Sequence, residues 1–347
     1  MKFKSMGSAV PLILAVSIFL VLGCKPSQRV YMSGFIVGGS NDIHALTPAT
    51  AQGVPTEAIN ASVLILTEGV QQESQKRVAK FCSGTLIQGD TADAPKRVLT
   101  NHHCFAQGEN EDGTAKAELM PEACHQTYVY FGLSSYHEFK SMRISCKPGT
   151  LKTSYDADVA VFSLSQEPPA PYVPLELWDG PTDPGSREAV IVHYPNVKSS
   201  LVTAPGSDAK LPSASVTRND CRVIGRFEIG TWDLDKTLPF GLRHTCDIIE
   251  GSSGSGLIDV ETHKILGVDW GGVKIRFAND LRTDNVATMA RYVREWLAGD
   301  TKTIDAENAT ARSNYIASMN QKQTKDKSAV QAAGEALGCG VVKVPRK

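Results

Sequence analysis

The sequence lacks an excess of charge of either sign. Its 347 residues include 36 Lys and Arg against 37 Asp and Glu, which gives a formal net charge of −1. Nucleic-acid-binding domains ordinarily present a basic face, so this balance gives no electrostatic reason to expect such a partner. Internal repeats and low-complexity blocks are absent as well. The apolar (41%) and charged (21%) fractions are those of a globular protein, which excludes a fully disordered, collagen-like or coiled-coil chain.

Long apolar runs are scarce, and the run at the N-terminus, Ala9–Leu22, is short. It has 14 residues and contains Pro11, whereas a membrane-spanning helix needs roughly 20. Lys2 and Lys4 precede it. A basic start followed by a short apolar stretch is typical of an export signal. An uncleaved membrane anchor is the alternative interpretation.

The end of this run, Val21–Cys24, resembles the lipobox of bacterial lipoproteins. The resemblance implies that residues 1–23 are a signal peptide and that Cys24 carries a lipid. We therefore expect an exported protein that is anchored to a membrane of the bacterial cell envelope. An ordinary signal peptide followed by a chance cysteine is the alternative. Residues 24–55, rich in Ser, Pro, Gly, Thr and Ala, are predicted to be a spacer or pro-segment.

The middle of the chain contains many short β-prone runs that are separated by turn residues. The runs are Ala61–Thr67, Phe81–Gln88, Arg97–Thr100, Thr127–Leu133, Asp158–Leu164, Ala189–His193, Gly256–Val260 and Lys264–Val268. This pattern, with almost no helical period, favours an all-β barrel or sandwich. Val286–Leu297 is the exception, because its apolar spacing predicts a helix that Asp284 and Asn285 could cap at the start and Gly299 at the end. Residues 300–347 are predicted to be a polar tail.

The segment Gly251–Gly256, with the sequence GSSGSG, is the strongest candidate for chemistry. A nucleophilic serine needs a tight turn with free backbone N–H groups, and flanking glycines allow such a turn. The serine also needs a base and an acid that orients the base. Val98–Cys104 ends in two adjacent histidines and a cysteine, and Ser154–Phe162 contains acids before an apolar strand. Each pattern alone is weak, but their order of His, Asp and Ser is informative.

Together these segments resemble the trypsin/chymotrypsin family of serine peptidases. The resemblance covers residues 60–298 and is carried by Phe81–Ile87, Leu99–Cys104, Asp158–Ala160 and Gly251–Gly256. The GSSGS sequence, Tyr194-Pro195 and Val268–Gly272 are similar to the bacterial glutamyl-endopeptidase branch. The resemblance implies two six-stranded antiparallel β-barrels with a C-terminal helix, and a peptidase domain over residues 56–299. It also implies that no metal or organic cofactor is needed.

The resemblance assigns the catalytic roles residue by residue. Ser253 is expected to be the nucleophile, His103 the general base and Asp158 the acid that orients His103. The backbone N–H groups of Gly251 and Ser253 are expected to form the oxyanion hole, which stabilises the transition state by roughly 3 kcal/mol per donor.

Two neighbouring residues are alternatives for these roles. Adjacent side chains of an extended chain point to opposite sides, so His102 cannot replace His103 without a change of register. Asp156 lies two residues from Asp158, on the same side of the chain, and remains an alternative for the acid that orients His103.

The expected substrate pocket contains Asp247, Asp269, Trp270 and Gly271. Asp247 lies six residues before Ser253, where basic-selective members of the family carry an acid. Asp269 replaces the histidine that glutamate-selective members use. Two carboxylates would attract Lys or Arg and repel Glu, so we expect cleavage after basic residues. The alternative is that Asp247 forms a structural hydrogen bond and that Asp269 faces away from the substrate.

An exported chain meets an oxidising environment, in which cysteines pair. The resemblance implies a bridge between Cys82 and Cys104 beside the catalytic histidine, which would stabilise the fold by about 3 kcal/mol. The two remaining sequence-local couples are Cys124 with Cys146 and Cys221 with Cys246, and Cys339 is left over in the tail. A zinc site made of Cys82, His102, His103 and Cys104 is disfavoured because zinc ligands normally show tighter paired spacing.

Three other interpretations were weighed. The α/β-hydrolase fold is disfavoured, because it needs a glycine at the position of Ser255. It also needs the chain order Ser, acid, His, and only His263 follows the serine. Ile36–Gly39 resembles the N-terminus that activation of trypsin zymogens releases, but Ser252 replaces the Asp that pairs with it. The sequence therefore disfavours activation by cleavage before Ile36. We expect an exported serine endopeptidase acting on proteins or peptides, and a non-catalytic binding module of the same fold is the alternative.

Overall fold

The structure of the protein is a computed structural model. It describes residues 31–32, 36–37, 41–70, 75, 77–89, 94–109, 115–136, 141–181, 183–196, 201–203, 210–226, 241–277, 280–303, 305–306, 309–310 and 313. The predictions of a signal peptide at 1–23, a lipidated Cys24 and an unpaired Cys339 lie outside the described residues. None of the helices in the described ranges has the length and apolar character needed to cross a membrane.

The described residues include eighteen strands and two α-helices with defined bounds, and described residues between 302 and 313 are helical as well. The strands are β1 (Tyr31–Met32), β2 (His44–Ala45), β3 (Ser62–Val70), β4 (Arg77–Ile87), β5 (Arg97–Thr100), β6 (Thr127–Phe131), β7 (Met142–Ser145), β8 (Lys152–Ser154), β9 (Val159–Ser163), β10 (Arg187–His193), β11 (Leu201–Thr203), β12 (Lys210–Pro212), β13 (Ser215–Thr217), β14 (Arg222–Arg226), β15 (Gly241–His244), β16 (Gly256–Asp259), β17 (Ile265–Phe277) and β18 (Asp280–Met289). The helices are α1 (Thr56–Ala61) and α2 (Ala290–Ala298). Strands dominate, as the sequence predicts.

The first large sheet has the strand order β7-β6-β3-β4-β5-β9-β8, with antiparallel neighbours. The chain just after β7 returns to β9, because the Lys147 N–H donates to the Ser163 carbonyl (2.9 Å) and the Ser165 N–H donates to the Ser145 carbonyl (2.9 Å). These bonds link the end of β7 to β9 and curl the sheet into a ring. Closing a sheet in this way removes exposed edges, which would otherwise pair with other chains.

The second large sheet contains a closed barrel of six strands. Its strands follow one another as β10, β14, β15, β18, β17 and β16, and β16 pairs again with β10. β13, β2 and β1 extend this sheet. One buried apolar cluster joins the two large sheets, with Val63 and Leu86 from the first and Val190 and Ile258 from the second. The predicted all-β fold with two barrel-like sheets is confirmed.

The helix near the C-terminus is shorter than the sequence predicts. Residues 286–289 belong to β18, where Val286 pairs with both β15 and β17, and α2 begins only at Ala290. Hydrogen bonds to two neighbouring strands outweigh the helical spacing of the apolar residues. The predicted caps Asp284 and Asn285 therefore lie within a strand, and the Asn285 side chain donates to the Cys246 carbonyl. Gly299 ends the helix as predicted, in the left-handed conformation (φ 75°).

Candidate active site

His103 lies directly after β5, on the short 3₁₀ turn His102–Cys104. A disulfide from Cys104 to Cys82 holds this turn against β4. The His103 ring Nδ1 lies 2.6 Å from Asp158 Oδ2, and the His103 backbone N–H donates to Asp158 Oδ1 at 2.9 Å. One carboxylate thus binds both the ring and the main chain of His103. Because Nδ1 is engaged, Nε2 is the ring nitrogen left to exchange a proton with a substrate or nucleophile.

Asp158 takes a backbone conformation that few side chains adopt. Its φ is +48°, in the left-handed region, directly before β9. Two hydrogen bonds hold it there: the Asn101 side chain donates to the Asp158 carbonyl (2.8 Å), and the Asp158 N–H donates to the Tyr155 carbonyl (3.1 Å). This turn directs the carboxylate of Asp158 towards His103, while Asp156 is solvent-exposed.

His102, the other alternative, is placed elsewhere. Its side chain is buried, its Nε2 lies 2.9 Å from the Lys116 carbonyl, and its ring packs edge-on against Tyr155. The structure therefore brings His103 and Asp158 together and separates them from His102 and Asp156.

The loop Gly251–Ser255, which we call the serine loop, lies against β4 and β5. The Ser83 N–H donates to the Ser253 carbonyl (2.8 Å), and the Ser83 hydroxyl donates to the Gly251 carbonyl (2.8 Å). Gly254 has a φ of +88°, and a Cβ there would collide with the Thr100 hydroxyl and the Ser83 carbonyl. Only glycine allows this approach, so Gly254 is required by the contact of the loop with the first sheet.

These contacts bring Ser253 to the His103–Asp158 pair. Ser83 follows Cys82, which is bridged to Cys104 beside His103, and the Thr100 hydroxyl donates to the Ser83 carbonyl (2.8 Å). Of the three described residues His103, Asp158 and Ser253, only the first two share a hydrogen bond in the structure. The serine loop is linked to the segment that carries His103 through the main chain of Ser83 and the Cys82–Cys104 disulfide.

Two backbone N–H groups of the serine loop stand out. Within the described part of the chain, the N–H groups of Gly251 and Ser253 have no acceptor. The backbone N–H groups of the neighbouring residues have acceptors: the Ser252 N–H donates to the Ile249 carbonyl (3.0 Å), and the Gly254 N–H donates to the Asp269 carbonyl (2.7 Å). Unbonded N–H groups in a rigid turn are suited to hold a negatively charged oxygen.

Asp247 is turned towards the N-terminal segment of the chain. Its two carboxylate oxygens accept the N–H groups of Val37 (2.6 Å) and Asp42 (2.7 Å), and only 2% of the residue is exposed. Burial raises the pKa of its carboxyl, and the two N–H bonds oppose this rise. These contacts are the structural hydrogen bonds that were expected from the sequence as the alternative to a substrate-binding role for Asp247.

Asp269 is fully buried and lies 3.1 Å from His244 Nε2 through its Oδ1. Burial raises the pKa of Asp269 to about 6, although His244 and His103 lower it. Trp270 and Gly271 follow at an irregularity of the β17–β18 ladder. The main chain of Asp269 pairs with the serine loop, since the Gly254 N–H donates to the Asp269 carbonyl (2.7 Å) and the Asp269 N–H donates to the Ser255 carbonyl (2.9 Å).

The three predicted disulfides are present. They are Cys82–Cys104, Cys124–Cys146 and Cys221–Cys246. Potential ligand atoms of Cys82, His103 and Cys104 lie within 4.8 Å of one another. Both sulfurs are consumed by the disulfide, however, and a metal needs the thiolate, so this group does not fit a zinc site.

Comparisons with known proteins found one family match and similar solved structures. A family described as the trypsin-like peptidase domain matches residues 82–268. The chain belongs to this family. Among the similar solved structures is that of "Glu endopeptidase in complex with MPD", with 17% identity, a TM-score of 0.44, and coverage of 77% of this chain and 100% of that one. No curated protein matches the chain.

Sequence reasoning missed three residues that shape this trypsin-like site. The Ser83 hydroxyl donates to the Gly251 carbonyl of the serine loop, and the His193 ring Nδ1 lies 2.8 Å from the Ser252 hydroxyl oxygen. The Lys80 ammonium donates to the carbonyls of His103 (3.0 Å) and Ala106 (2.8 Å). Ser83 lies in Phe81–Ile87, which carries the family resemblance, and His193 directly precedes Tyr194-Pro195. A polar residue within such an apolar run was the available signal, because a buried polar group needs a partner.

Proposed function

We propose that the protein is an exported serine endopeptidase, with Ser253 as nucleophile, His103 as general base and Asp158 as the acid that orients the base. Membership of the trypsin-like peptidase family supports a peptidase that acts on protein substrates. The observation that carries the catalytic assignment is the double hydrogen bond between His103 and Asp158, with the serine loop anchored beside it through Ser83.

The reaction follows from these positions. His103 Nε2 takes the proton of the Ser253 hydroxyl while the oxygen attacks the scissile carbonyl. The Gly251 and Ser253 N–H groups hold the oxyanion that forms, and Asp158 stabilises the imidazolium. His103 then gives the proton to the leaving amine, which yields an acyl-enzyme and the first product. A water molecule, deprotonated by the same imidazole, hydrolyses the ester and regenerates Ser253.

The predicted preference for Lys or Arg depends on a carboxylate that a substrate side chain can reach. Asp247 already binds the N–H groups of Val37 and Asp42, and Asp269 binds His244. A substrate that uses Asp247 must therefore displace the N-terminal segment. The preference stays a prediction, and a panel of peptides that differ only in the residue before the cleaved bond tests it. Asp247→Ser should abolish a preference for basic residues, whereas cleavage after Glu would contradict it.

Export and lipidation form the second half of the proposal. Three disulfides among the described residues are consistent with an oxidising compartment. We propose that the mature protein begins at Cys24 and is held to the cell envelope by its lipid. Intact-mass measurement of membrane-extracted protein, with Cys24→Ser as the control, tests this. A mass without lipid, together with a soluble wild-type protein, would contradict it.

Labelling with a fluorophosphonate probe tests the catalytic half. The wild type should react at Ser253, as located by peptide mapping, and Ser253→Ala should not react. Ser165→Ala, a change of an exposed serine, is the matched control and should label as the wild type does. If the wild type fails to label where trypsin labels, the enzyme assignment is wrong and the binding-module alternative gains support.

A further inference from the structure

A chain of hydrogen bonds runs through the fully buried His193 to the residue before the proposed nucleophile. His193 Nδ1 lies 2.8 Å from the Ser252 hydroxyl oxygen, which also accepts the Ile249 N–H at 3.1 Å. On the other side of the ring, Nε2 lies 3.4 Å from the Thr217 hydroxyl oxygen, and the Thr217 hydroxyl lies 3.0 Å from the Asp247 carbonyl. His193 ends β10 and Thr217 ends β13, so the chain ties the serine loop to two strands.

The direction of each bond in this chain is determined. A carbonyl can only accept, so the Thr217 hydroxyl donates to Asp247 and must accept from His193 Nε2–H. Burial lowers the pKa of His193 to about 3, so the ring is neutral and its Nδ1 carries no proton. Nδ1 therefore accepts the proton of the Ser252 hydroxyl. Every polar atom of the chain has a partner, and none carries a charge.

The residues after His193 hold the same loop. The Tyr194 N–H donates to the Ser83 hydroxyl (2.8 Å), whose proton goes to the Gly251 carbonyl (2.8 Å). The Asn196 N–H donates to the Glu250 carbonyl (2.8 Å). The stretch from His193 to Asn196 thus fixes the carbonyls of residues 250 and 251 as well as the side chain of Ser252. These are the residues that orient the Gly251 and Ser253 N–H groups.

We propose that His193 is a positioning residue that keeps the oxyanion-binding turn of the serine loop in its working shape by accepting the hydroxyl proton of Ser252. This inference rests on the proposed function. It also explains how the loop is anchored without an N-terminal ammonium group, since in the intact chain the Val37 N–H is bonded to Asp247. A chain that has not been cleaved before Ile36 should therefore be active.

Two conservative substitutions separate the two ends of the imidazole. His193→Asn places an oxygen near the position of Nδ1 and keeps an acceptor for Ser252. His193→Gln places an amide near the position of Nε2 and keeps a donor for Thr217 but leaves the Ser252 hydroxyl without its acceptor. The two variants are both polar and buried, so a merely structural role would affect them alike.

The measured quantities are the second-order rate of fluorophosphonate labelling, kcat and KM. His193→Gln and Ser252→Ala should lower the labelling rate and kcat by roughly ten- to a hundredfold, because a misplaced turn loses oxyanion contacts. KM should change by less than about threefold, since these contacts form in the transition state. His193→Asn should recover at least about tenfold of the loss in His193→Gln. The matched control is Thr67→Val, which removes a buried hydroxyl pair with Thr127 in the first sheet and should leave kcat unchanged.

The outcomes distinguish this inference from the proposed function. If the wild type labels at Ser253 but the Asn and Gln variants have equal kcat values, the positioning role of His193 is wrong and the serine peptidase assignment stands. If kcat falls only in proportion to the folded fraction measured by thermal unfolding, the role is structural and the inference is also overturned. If the wild type does not label at all, the proposed function itself has failed.

Discussion

Two fully buried histidines lie on either side of the serine loop, and their surroundings differ. His193 binds Ser252, and both of its ring nitrogens have hydroxyl partners. His244 binds Asp269, whose main chain pairs with Gly254 and Ser255 on the other side of Ser253. Within the described residues, His244 Nδ1 and Asp269 Oδ2 have no hydrogen-bond partner.

The difference shows that one loop can be held by a neutral network and by an ionisable pair at the same time. Burial keeps His193 neutral at all ordinary pH values, with a pKa of about 3. Burial also raises the pKa of Asp269 to about 6, so this carboxyl changes charge near neutrality. In the folded protein the His193 ring should therefore stay neutral between about pH 5 and 8, whereas the Asp269 carboxyl should change its charge within that range.

Removing the neutral network should have the largest effect on stability. His193→Leu leaves the buried hydroxyl proton of Ser252 without an acceptor, while the Thr217 hydroxyl keeps its bond to the Asp247 carbonyl. We expect a loss of about 3 kcal/mol in the free energy of unfolding. Urea unfolding at pH 8 measures this. His125→Leu, at an exposed histidine, is the matched control. Equal losses of unfolding free energy in the two variants would show that the hydrogen bonds of His193 do not stabilise the fold.

The Asp269 pair should be sensitive to pH in the opposite direction from an ordinary carboxylate. Its folded-state pKa is raised, so its contribution to stability is present below pH 3.8 and is lost as pH rises through about 6. Asp269→Asn removes this titration and keeps an acceptor for His244. The stability of the variant relative to the wild type should therefore rise by about 2.4 kcal/mol between pH 4 and pH 8. A stability difference between the variant and the wild type that does not vary with pH would mean that burial does not raise the pKa of Asp269.

His193 should give the reverse response to acid. Burial lowers its folded-state pKa from the ordinary value of 6.5 to about 3, so the stability it contributes is present above pH 6.5 and is lost as pH falls towards 3. Between pH 7 and pH 5 the wild type should lose about 2 kcal/mol relative to His193→Asn, which has no group to protonate. Thermal or urea unfolding of both proteins at the two pH values provides the measurement. Parallel pH curves would contradict the burial of a neutral ring.

The far end of the His193 chain should matter least. The Nε2–Thr217 contact is long, at 3.4 Å, so Thr217→Val should cost about 1 kcal/mol of stability. Its effect on kcat should be smaller than that of Ser252→Ala, because Ser252 belongs to the turn itself. A larger kcat loss in Thr217→Val would place the decisive contact at Thr217 and would reverse the order proposed here.

The sequence was most informative where local patterns determine local structure. The glycines around Ser253, the left-handed end of α2 at Gly299 and the alternation of short strands follow from backbone sterics. The pairing of His103 with Asp158 and the Cys82–Cys104 disulfide followed from the family resemblance, and the other two disulfides followed from the sequence-local couples that remained. In each case the residues lie in contiguous motifs, so their geometry could be anticipated without knowledge of the rest of the chain.

The remaining features depend on contacts between distant residues. Val37 and Asp42 occupy the carboxylate of Asp247 across more than 200 positions of sequence, which no local pattern reveals. The start of α2 was predicted too early because the pairing of Val286 with two other strands overrides its helical spacing. His193 and His244 are single polar residues at the ends of strands, and their partners are known only once the strand neighbours are known.

The central claim is that Ser253, His103 and Asp158 act as one catalytic unit, and combined substitution tests it most directly. Residues that act as a unit have non-additive effects on rate. Ser253→Ala and His103→Ala should each lower kcat for a peptide substrate by at least about a thousandfold, and the double variant should be no slower than the slower single one. Rates that fall by the product of the two single effects, or a single variant that retains wild-type kcat, would contradict the account.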